Sequence, residues 1–276
     1  MRLVMHVSND DVNKTPKETI TIVKKAGFDG VFLQWYDGDY KKFDMNVFDQ
    51  VKLAQELGLE IEFAHLSYFD INDIWLEEEK ANKFIDRIKN DIVDLKKCGI
   101  KMGILHLTKS DTPPLYNEVG VKRLQELCNF AKQLGVKIAF ENTRKQGYLE
   151  FVLDRIKNDN VGICLDAGHC HCYFKDNFNF EKFRNRIFAL HLHDNFGEKD
   201  EHLLPFDGTI DWEKMCENIV KANYNGPITL ECGYSLHYFN QGLKFEDFYN
   251  ECYKRAKKLS QLMEKYKNKK EITNEK

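Results

Sequence analysis

Histidine and acidic residues recur in this sequence at or directly after the ends of short apolar segments. The most regular of them are His65, Glu141, Asp166, His191 and Glu231. Imidazole and carboxylate groups together suit zinc, manganese, cobalt or iron better than calcium. Carboxylates that converge in a low-dielectric site repel one another unless a cation or hydrogen-bond donors compensate them. If these side chains meet in the fold, the sequence therefore predicts a divalent-metal site.

Further polar residues extend this pattern, although each also has a structural interpretation. His6 and His106 lie in or beside two other apolar segments, and His169 follows Asp166 by three residues. Asp200 and His202 form an Asp-x-His pair, which can turn two ligand atoms toward one point or belong to a solvated polar loop. A single histidine at a strand end is more often a hydrogen-bonded structural residue. The repetition along the chain favours a metal site.

Short apolar segments alternate with longer amphipathic ones, and these are the elements that would position the polar residues. The apolar segments are residues 3–7, 30–33, 60–64, 102–107, 137–140, 162–165, 188–192 and 228–230. They are brief and often β-branched, as buried parallel strands are. The predicted helices are residues 16–26, 47–57, 77–97, 121–134, 151–157, 180–185, 212–222 and 245–265. This pattern predicts an α/β fold, a single (β/α)8 TIM barrel, with its functional site at the C-terminal ends of the strands.

Capping signals mark several helix ends, and the composition of the C-terminal segment indicates where the domain ends. Thr15, followed by proline, is a predicted N-cap, and Gly27, Gly58 and Gly135 stand where helices commonly end. Residues 1–264 are predicted to form the barrel. Residues 265–276 are charged and lack apolar periodicity, so we expect a disordered tail there.

The overall composition is that of a globular protein without a strong field of one sign. The 276 residues carry a net charge of −3, which does not favour nucleic acid or an anionic membrane as a partner. No signal peptide is evident, and no apolar run approaches the roughly 18 residues of a membrane span. The eight cysteines lack framework spacing and are expected to be reduced thiols. We therefore expect a cytoplasmic protein with no membrane partner.

Several short segments together resemble one known family, the xylose isomerase-like TIM barrel superfamily. The segments are Met5-His-Val-Ser8, Ala64-His-Leu-Ser-Tyr68, Leu105-His106, Phe140-Glu-Asn-Thr143, Cys164-Leu-Asp-Ala-Gly-His169, His191-Leu-His-Asp194, Asp200-Glu-His202 and Leu230-Glu231. Each is weak alone, but their order and spacing extend over nearly the whole chain. The superfamily holds sugar and sugar-phosphate isomerases and epimerases, together with endonuclease IV of AP endonuclease family 2.

The resemblance implies metal ligands residue by residue. An isomerase-like site would bind one divalent ion, which could be zinc, manganese, cobalt or magnesium, through Glu141, Asp166, His191 and Glu231. His193 is the alternative ligand on the seventh strand, although the His-x-x-Asp spacing favours His191. Endonuclease IV adds further zinc ligands, for up to three ions, and the matching positions here are His65, His106, His169, Asp200 and His202.

The function favoured by this resemblance is that of a metal-dependent isomerase or epimerase of a sugar or sugar phosphate. Glu141 and Glu231 would transfer protons through an enediolate. Arg144 is a candidate for binding a substrate oxygen or phosphate, and its alternative role is a surface ion pair. The predicted substrate-binding residues are His169, His193, Arg144, His6, Tyr68 and Trp35.

Two other functions stay open at this point. The first is a zinc-dependent apurinic/apyrimidinic endonuclease, for which DNA would be the partner and Tyr68 would match a tyrosine that wedges into DNA. Residues 144–148 replace the Gly-rich stretch of the nuclease, and residues 34–40 are aromatic and acidic, which suits DNA phosphates poorly. The second is a non-catalytic barrel that only binds a sugar or a metal. Exposed aromatic residues would suit a homodimer.

Overall fold

Parallel strands joined in sequence order form the centre of the fold. The structure is a computed structural model, and it describes residues 1–8, 11–35, 45–77 and 79–274. The strands are β1 (Leu3–Val7), β2 (Gly30–Trp35), β3 (Glu60–Leu66), β4 (Met102–Leu105), β5 (Lys137–Glu141), β6 (Val161–Asp166), β7 (Ile187–His191) and β8 (Ile228–Leu230). Each pairs in parallel with the next along the chain as far as β7, and β1 also pairs with β8. A parallel bridge between Leu192 and Leu230 joins the last two edges, so the predicted (β/α)8 TIM barrel is confirmed.

Helices on the outside of the barrel connect the strands. They are α1 (Pro16–Ala26), α2 (Val47–Glu56), α3 (Glu79–Lys97), α4 (Glu118–Leu134), α5 (Tyr148–Arg155), α6 (Ala167–Cys172), α7 (Trp212–Lys221), α8 (Leu236–Asn240) and α9 (Phe245–Asn274), with a 3-10 helix at Ile71–Trp75. The predicted N-cap is confirmed, because the hydroxyl of Thr15 accepts a hydrogen bond from the backbone N–H of Glu18. Gly27 ends the same helix with a φ of 103°, which a residue with a Cβ rarely adopts.

One predicted helix is wrong. Residues 180–185 form turns, and the helix between β6 and β7 is α6, which directly follows β6. Lys175, Asp176 and Asn185 have φ values of 50°, 60° and 63°, in the left-handed region that interrupts a helix. Phe178 and Phe183 are nevertheless buried. The apolar spacing that predicted a helix therefore reflects the packing of turns.

An apolar cluster fills the inside of the barrel and determines where the polar residues lie. Its members are Val4, Phe32, Phe63, Met102, Ile104, Ala139, Cys164 and Ala189. Side chains alternate between the two faces of a strand, so the residue two positions further along also points inward. That residue lies one layer nearer the C-terminal end of the barrel. The fold thus turns the polar residues at the strand ends toward the mouth.

The last helix extends further than the sequence suggests. Helix α9 continues past residue 264 to Asn274, in the segment for which a disordered tail is predicted. Lys265 and Tyr266 both contact the carboxylate of Glu213 on α7, and Lys270 contacts the carbonyl of Val220. These polar contacts replace the apolar periodicity that the segment lacks. The assignment of residues 1–264 to one domain stays a prediction.

None of the helices in the described part of the chain is both long and apolar enough to cross a membrane.

Candidate active site at the barrel mouth

One inward-facing polar layer lies directly above the apolar cluster inside the barrel. Each strand contributes one residue to this layer: His6, Gln34, His65, His106, Glu141, Asp166, His191 and Glu231. All but Glu231 follow a member of the apolar cluster by two positions. The layer borders a cavity of about 290 Å³, which Tyr68, His169, Asp200 and His202 also line. The ligand residues predicted from widely separated segments are therefore brought together.

Glu141 is the centre of this layer. Its Oε2 lies 3.3 Å from Nε2 of both His65 and His106, and 3.2 Å from Nδ1 of His191. Its Oε1 lies 3.1 Å from Nδ1 of His169. Burial alone would raise the pKa of Glu141, but the surrounding imidazoles, His106 foremost, hold that pKa well below its ordinary value. The side chain is therefore a carboxylate that imidazoles surround.

Glu231 approaches the same histidine from the other side. Its Oε2 lies 3.1 Å from Nδ1 of His191. Nδ1 of His191 makes no hydrogen bond within the described residues, although oxygens of Glu141 and Glu231 both lie within 3.2 Å of it. Oε2 of Glu141 also has no hydrogen bond within the described residues. Burial opposes a positive charge on His191, yet Cys164, Glu231 and Glu141 raise its pKa well above the ordinary value. The electrostatic field at this point therefore favours a cation, as a metal site would.

Asp166 is held rigidly at the end of β6. Its Oδ1 accepts a 2.6 Å hydrogen bond from the backbone N–H of His169, so it caps α6. The side chain of Asn142 donates to the carbonyl of Asp166 at 2.9 Å and accepts from its N–H at 2.7 Å. Oδ2 of Asp166 lies 3.1 Å from Nε2 of His193. The structure thus places His191 against the two glutamates and His193 against Asp166.

A second cluster lies beside the first and includes the Asp-x-His pair. Oδ1 of Asp200 lies 3.6 Å from Nε2 of His193 and 3.5 Å from Nε2 of His202. Oδ2 of Asp200 lies 3.0 Å from Nε2 of His169, which connects the two clusters. Burial opposes protonation of His202, but Asp200 raises its pKa to about 10. Oδ1 of Asp200 has no hydrogen bond within the described residues. These donors also suit a divalent ion.

Asp194 organises the loop that carries the second cluster. This side chain is fully buried. Its two oxygens accept hydrogen bonds of 2.8 to 3.1 Å from the backbone N–H groups of Asn195, Phe206 and Ile210 and from the indole N–H of Trp212. One carboxylate therefore holds the start, middle and end of the segment between β7 and α7. Asp200 and His202 owe their positions to this arrangement.

The remaining predicted substrate contacts have different surroundings. Tyr68 lines the cavity and stacks on His106, with ring centroids 4.3 Å apart. His6 also lines the cavity, and burial lowers its pKa to about 3, so it is a neutral imidazole. Arg144 is not among the described residues that line the cavity, and it pairs with Asp111 at 3.2 Å. That contact matches the alternative interpretation of Arg144 as a surface ion pair.

Trp35 does not lie where a substrate contact would require. Gln34 faces the cavity, so the next residue on β2 faces the helices, and Trp35 is 3% exposed in the outer core against Phe48. Sequence reasoning missed Gln34, and the two-residue spacing from Phe32 is the signal that identifies it. It also missed three other residues that line the cavity: Ser8, Gly233 and Ser235. Residues 36–44, which include most of the aromatic and acidic loop, lie outside the described residues.

Comparison with protein-family models identifies the wider group. Residues 20–251 match the model described as xylose isomerase-like TIM barrel. The chain belongs to this family. The resemblance inferred from short motifs is thereby confirmed.

The names of the relatives include both an isomerase and a probable endonuclease. "Uncharacterized protein y4fM" of Sinorhizobium fredii is 30% identical over 252 residues, which cover 78% of this chain and 80% of that protein. An inosose isomerase of Halalkalibacterium halodurans is 29% identical over 127 residues, 40% of this chain and 44% of the isomerase. A probable endonuclease 4 of Mycoplasma capricolum is 29% identical over 153 residues, 44% of this chain and 50% of that protein.

Solved structures show the same architecture at lower identity. An L-ribulose 3-epimerase superposes with a TM-score of 0.73 at 14% identity, over 99% of this chain and 97% of the epimerase. The IOLI protein, solved with a bound zinc atom, has a TM-score of 0.72 at 19% identity, over 96% of this chain and 99% of its own. At these identities the similarity establishes the fold alone.

Proposed function

We propose that this family member is a metal-dependent isomerase or epimerase of a small polyhydroxy carbonyl compound, a sugar or sugar phosphate. The observation that carries the proposal is the pair of buried carboxylates beside His191. Glu141 and Glu231 come from different strands and lie 3.2 and 3.1 Å from Nδ1 of that histidine, at the edge of one cavity. The inosose isomerase among the relatives supports the same class of reaction.

The donor set fits a divalent metal ion. Glu141, Asp166, His191 and Glu231 would hold it. Oε2 of Glu141 and Nδ1 of His191 are buried, face each other at 3.2 Å and lack hydrogen bonds within the described residues. Donor atoms of His191 and Glu231 group with His65, and those of Glu141 and Asp166 group with His169, each group within 4.8 Å. When bound, the ion would supply Lewis-acid polarisation of the substrate carbonyl. Zinc, manganese, cobalt and magnesium are the metals to test.

The two glutamates are suited to proton transfer. Burial alone would raise the pKa of both glutamates, but the surrounding imidazoles hold both pKa values below the ordinary value, so both side chains are carboxylates in the free protein. In the proposed reaction one glutamate removes the proton α to the carbonyl and becomes the carboxylic acid, while the other takes up a proton from solvent and donates it from the opposite side. The first glutamate then releases its proton to solvent. His169 bridges Glu141 and Asp200 and is placed to orient a substrate hydroxyl.

Entry of solvent deuterium into a sugar tests this proposal directly. The metal-loaded protein is incubated in D2O with free and phosphorylated aldoses, ketoses and inososes, and the products are analysed by mass spectrometry. We expect deuterium at the carbon next to the carbonyl. Glu141→Gln should lower the rate by about 10²- to 10⁴-fold while the circular dichroism spectrum is retained. Glu198→Gln, which changes an exposed carboxylate nearby, is the matched control and should keep the rate.

A second candidate function rests on the number of potential ligands. The triads His65, His106, Glu141 and His193, Asp200, His202 each hold donor atoms within 4.8 Å of one another, beyond what one ion needs. Clustered zinc ions can activate water and stabilise a leaving oxygen in phosphodiester hydrolysis. The probable endonuclease 4 among the relatives is consistent with cleavage at abasic DNA.

Metal stoichiometry and a nicking assay separate the two candidates. One ion per chain, with no cleavage of an abasic duplex oligonucleotide, supports the isomerase. Three zinc ions per chain with efficient nicking would replace the isomerase by the nuclease. Binding of a sugar without deuterium entry or nicking would instead indicate the non-catalytic barrel.

A further inference from the structure

One arc of the cavity wall contains none of the metal ligands that the family resemblance implies. It is formed by β1, β2 and the segment after β8, and its residues are His6, Ser8, Gln34, Gly233 and Ser235. We call this surface the neutral arc. We propose that the neutral arc binds the uncharged, hydroxyl-bearing end of the substrate, so that the substrate is a free sugar or polyol ketone and not a phosphate ester. This inference rests on the proposed isomerase function and specifies its substrate class.

The position of the neutral arc follows from strand order. Strand β1 lies between β2 and β8 in the sheet, so it stands across the barrel from β5 and β6. Those two strands carry Glu141 and Asp166. Glu231 directly follows β8, which pairs with β1, so the neutral arc lies beside Glu231 and across the barrel from Glu141. In the proposed pose the reacting carbons lie between the two glutamates, and the remaining carbons contact the neutral arc.

The neutral arc has hydrogen-bonding groups that the protein itself leaves unused. His6 is 6% exposed, and its Nε2 has no hydrogen-bond partner in the described part of the chain. The amide of Gln34 likewise makes no hydrogen bond to a described residue. Ser235 precedes α8, but its hydroxyl does not cap that helix. A neutral imidazole, an amide and a hydroxyl can both donate and accept, as neighbouring sugar hydroxyls do.

The charge of the cavity argues against a phosphate. Among the described residues that line it there is no lysine or arginine, and Glu141, Asp200 and Glu231 are acidic. The imidazoles of His169 and His202 already face the carboxylate of Asp200, at 3.0 and 3.5 Å. Protein sites for phosphate normally supply arginine, lysine or several backbone N–H groups. At Gly233 an added Cβ would lie 3.0 Å from the hydroxyl of Ser8, so glycine keeps space open within the neutral arc. Hydroxyl groups suit this surface better than a dianion.

The test compares free sugars with their terminal phosphate esters on the metal-loaded protein. Deuterium exchange gives kcat/KM for each pair, and calorimetry gives the affinity. We expect the free sugar to be preferred by at least about 10-fold. Gln34→Leu should raise KM and Kd for free sugars about 3- to 10-fold, the effect of losing one neutral hydrogen bond. Gln55→Leu, at the opposite end of the barrel, is the control and should change neither.

The outcomes distinguish this inference from the proposed function. Preference for the phosphate ester, or unchanged KM and Kd in Gln34→Leu, would overturn the proposed role of the neutral arc. Deuterium exchange would still support the isomerase in that case. Free-sugar binding that weakens in Gln34→Leu without any deuterium exchange would support the neutral arc and refute the isomerase. Failure of every free sugar in the panel to bind would overturn the neutral arc.

Discussion

His191, the last residue of β7, and His193, two residues further on, have different surroundings at the scale of single residues. Nδ1 of His191 lies within 3.2 Å of oxygens from both Glu141 and Glu231. Nε2 of His193 lies 3.1 Å from Asp166, and its ring stacks on His202 at 4.0 Å between centroids. His191 is therefore the better candidate for a direct ligand of the first ion. His193 is placed to hold Asp166, a supporting role that orients a ligand.

This difference predicts unequal effects on metal binding. His191→Asn removes a nitrogen that faces two carboxylates and should weaken zinc binding by more than about 100-fold. His193→Asn removes only a support of Asp166, which typically costs about 10- to 100-fold. Competition titration with a chromophoric chelator measures both affinities. If His193→Asn were the more damaging substitution, the assignment of the ligand would be reversed.

The limits of sequence reasoning are clear at the same scale. The polar residues of β3 to β8 could be predicted because a histidine or acid at a strand end recurs, and a barrel brings strand ends together. Gln34 could not be predicted, because a single glutamine does not belong to a recurring pattern. It is recognised as a site residue only when the structure shows which residues of β2 face the inside of the barrel. Trp35 illustrates the same point, since a shift of one residue moves a side chain to the other face of a strand. The two histidines of β7 could be separated only by the partners that each contacts.

At the scale of the element, the segment between β7 and α7 matters most to the site. It is a long connection without helix or strand, yet Asp194 ties it together through four hydrogen bonds from three backbone N–H groups and one indole. Hydrogen bonds to a buried carboxylate are stronger than neutral ones. A single side chain therefore gives the loop a defined shape and delivers Asp200 and His202 to the mouth.

Asp194→Asn should destabilise the protein strongly, because an amide both removes the charge and turns a donor toward N–H groups. We expect the free energy of unfolding to fall by about 3 kcal/mol, with faster proteolysis within residues 195–211. Asp211→Ala, which removes the N-cap of α7 in the same segment, should cost only about 1 kcal/mol. Urea unfolding compares the two variants. Equal losses would show that Asp194 has no special role.

Element boundaries show where local sequence signals fail. The strands were predictable to within about two residues, since each is a compact apolar run between polar segments. The turns at residues 180–185 carry apolar residues at helical spacing, but the left-handed residues on either side have no unambiguous sequence signal. The extension of α9 to Asn274 depends on contacts of Lys265 and Tyr266 with α7, which no local pattern encodes.

At the scale of the whole molecule, the site connects strands distant in the sequence. Glu141, Asp166 and His191 end β5, β6 and β7, and Glu231 directly follows β8. These four strands are the half of the barrel that closes onto β1. Without a bound cation, the negative charge of these buried carboxylates is compensated by protons on the neighbouring imidazoles. A bound ion would therefore stabilise the closed barrel. Phe69, Leu115 and Phe196 are exposed on loops, and Leu236 is exposed at the start of α8. The homodimer suggested by exposed aromatics stays a prediction.

Removal of metal should lower the stability of the fold. A ligand at 100 times its Kd adds about 2.7 kcal/mol to the free energy of unfolding. For a chain of this size that corresponds to a Tm about 5 to 10 °C lower after exhaustive chelation. Calorimetry of metal-loaded and chelated protein measures the shift, and His191→Asn should show little of it. An identical Tm in both states would argue against a metal that bridges these strands.

The central claim is that Glu141, Asp166, His191 and Glu231 bind one divalent ion together. Anomalous diffraction from crystals of the manganese-loaded protein tests this most directly. We predict an anomalous peak within coordination distance of all four side chains, about 2.0 to 2.3 Å. No peak among them, or a metal held elsewhere with the four side chains apart, would contradict the account.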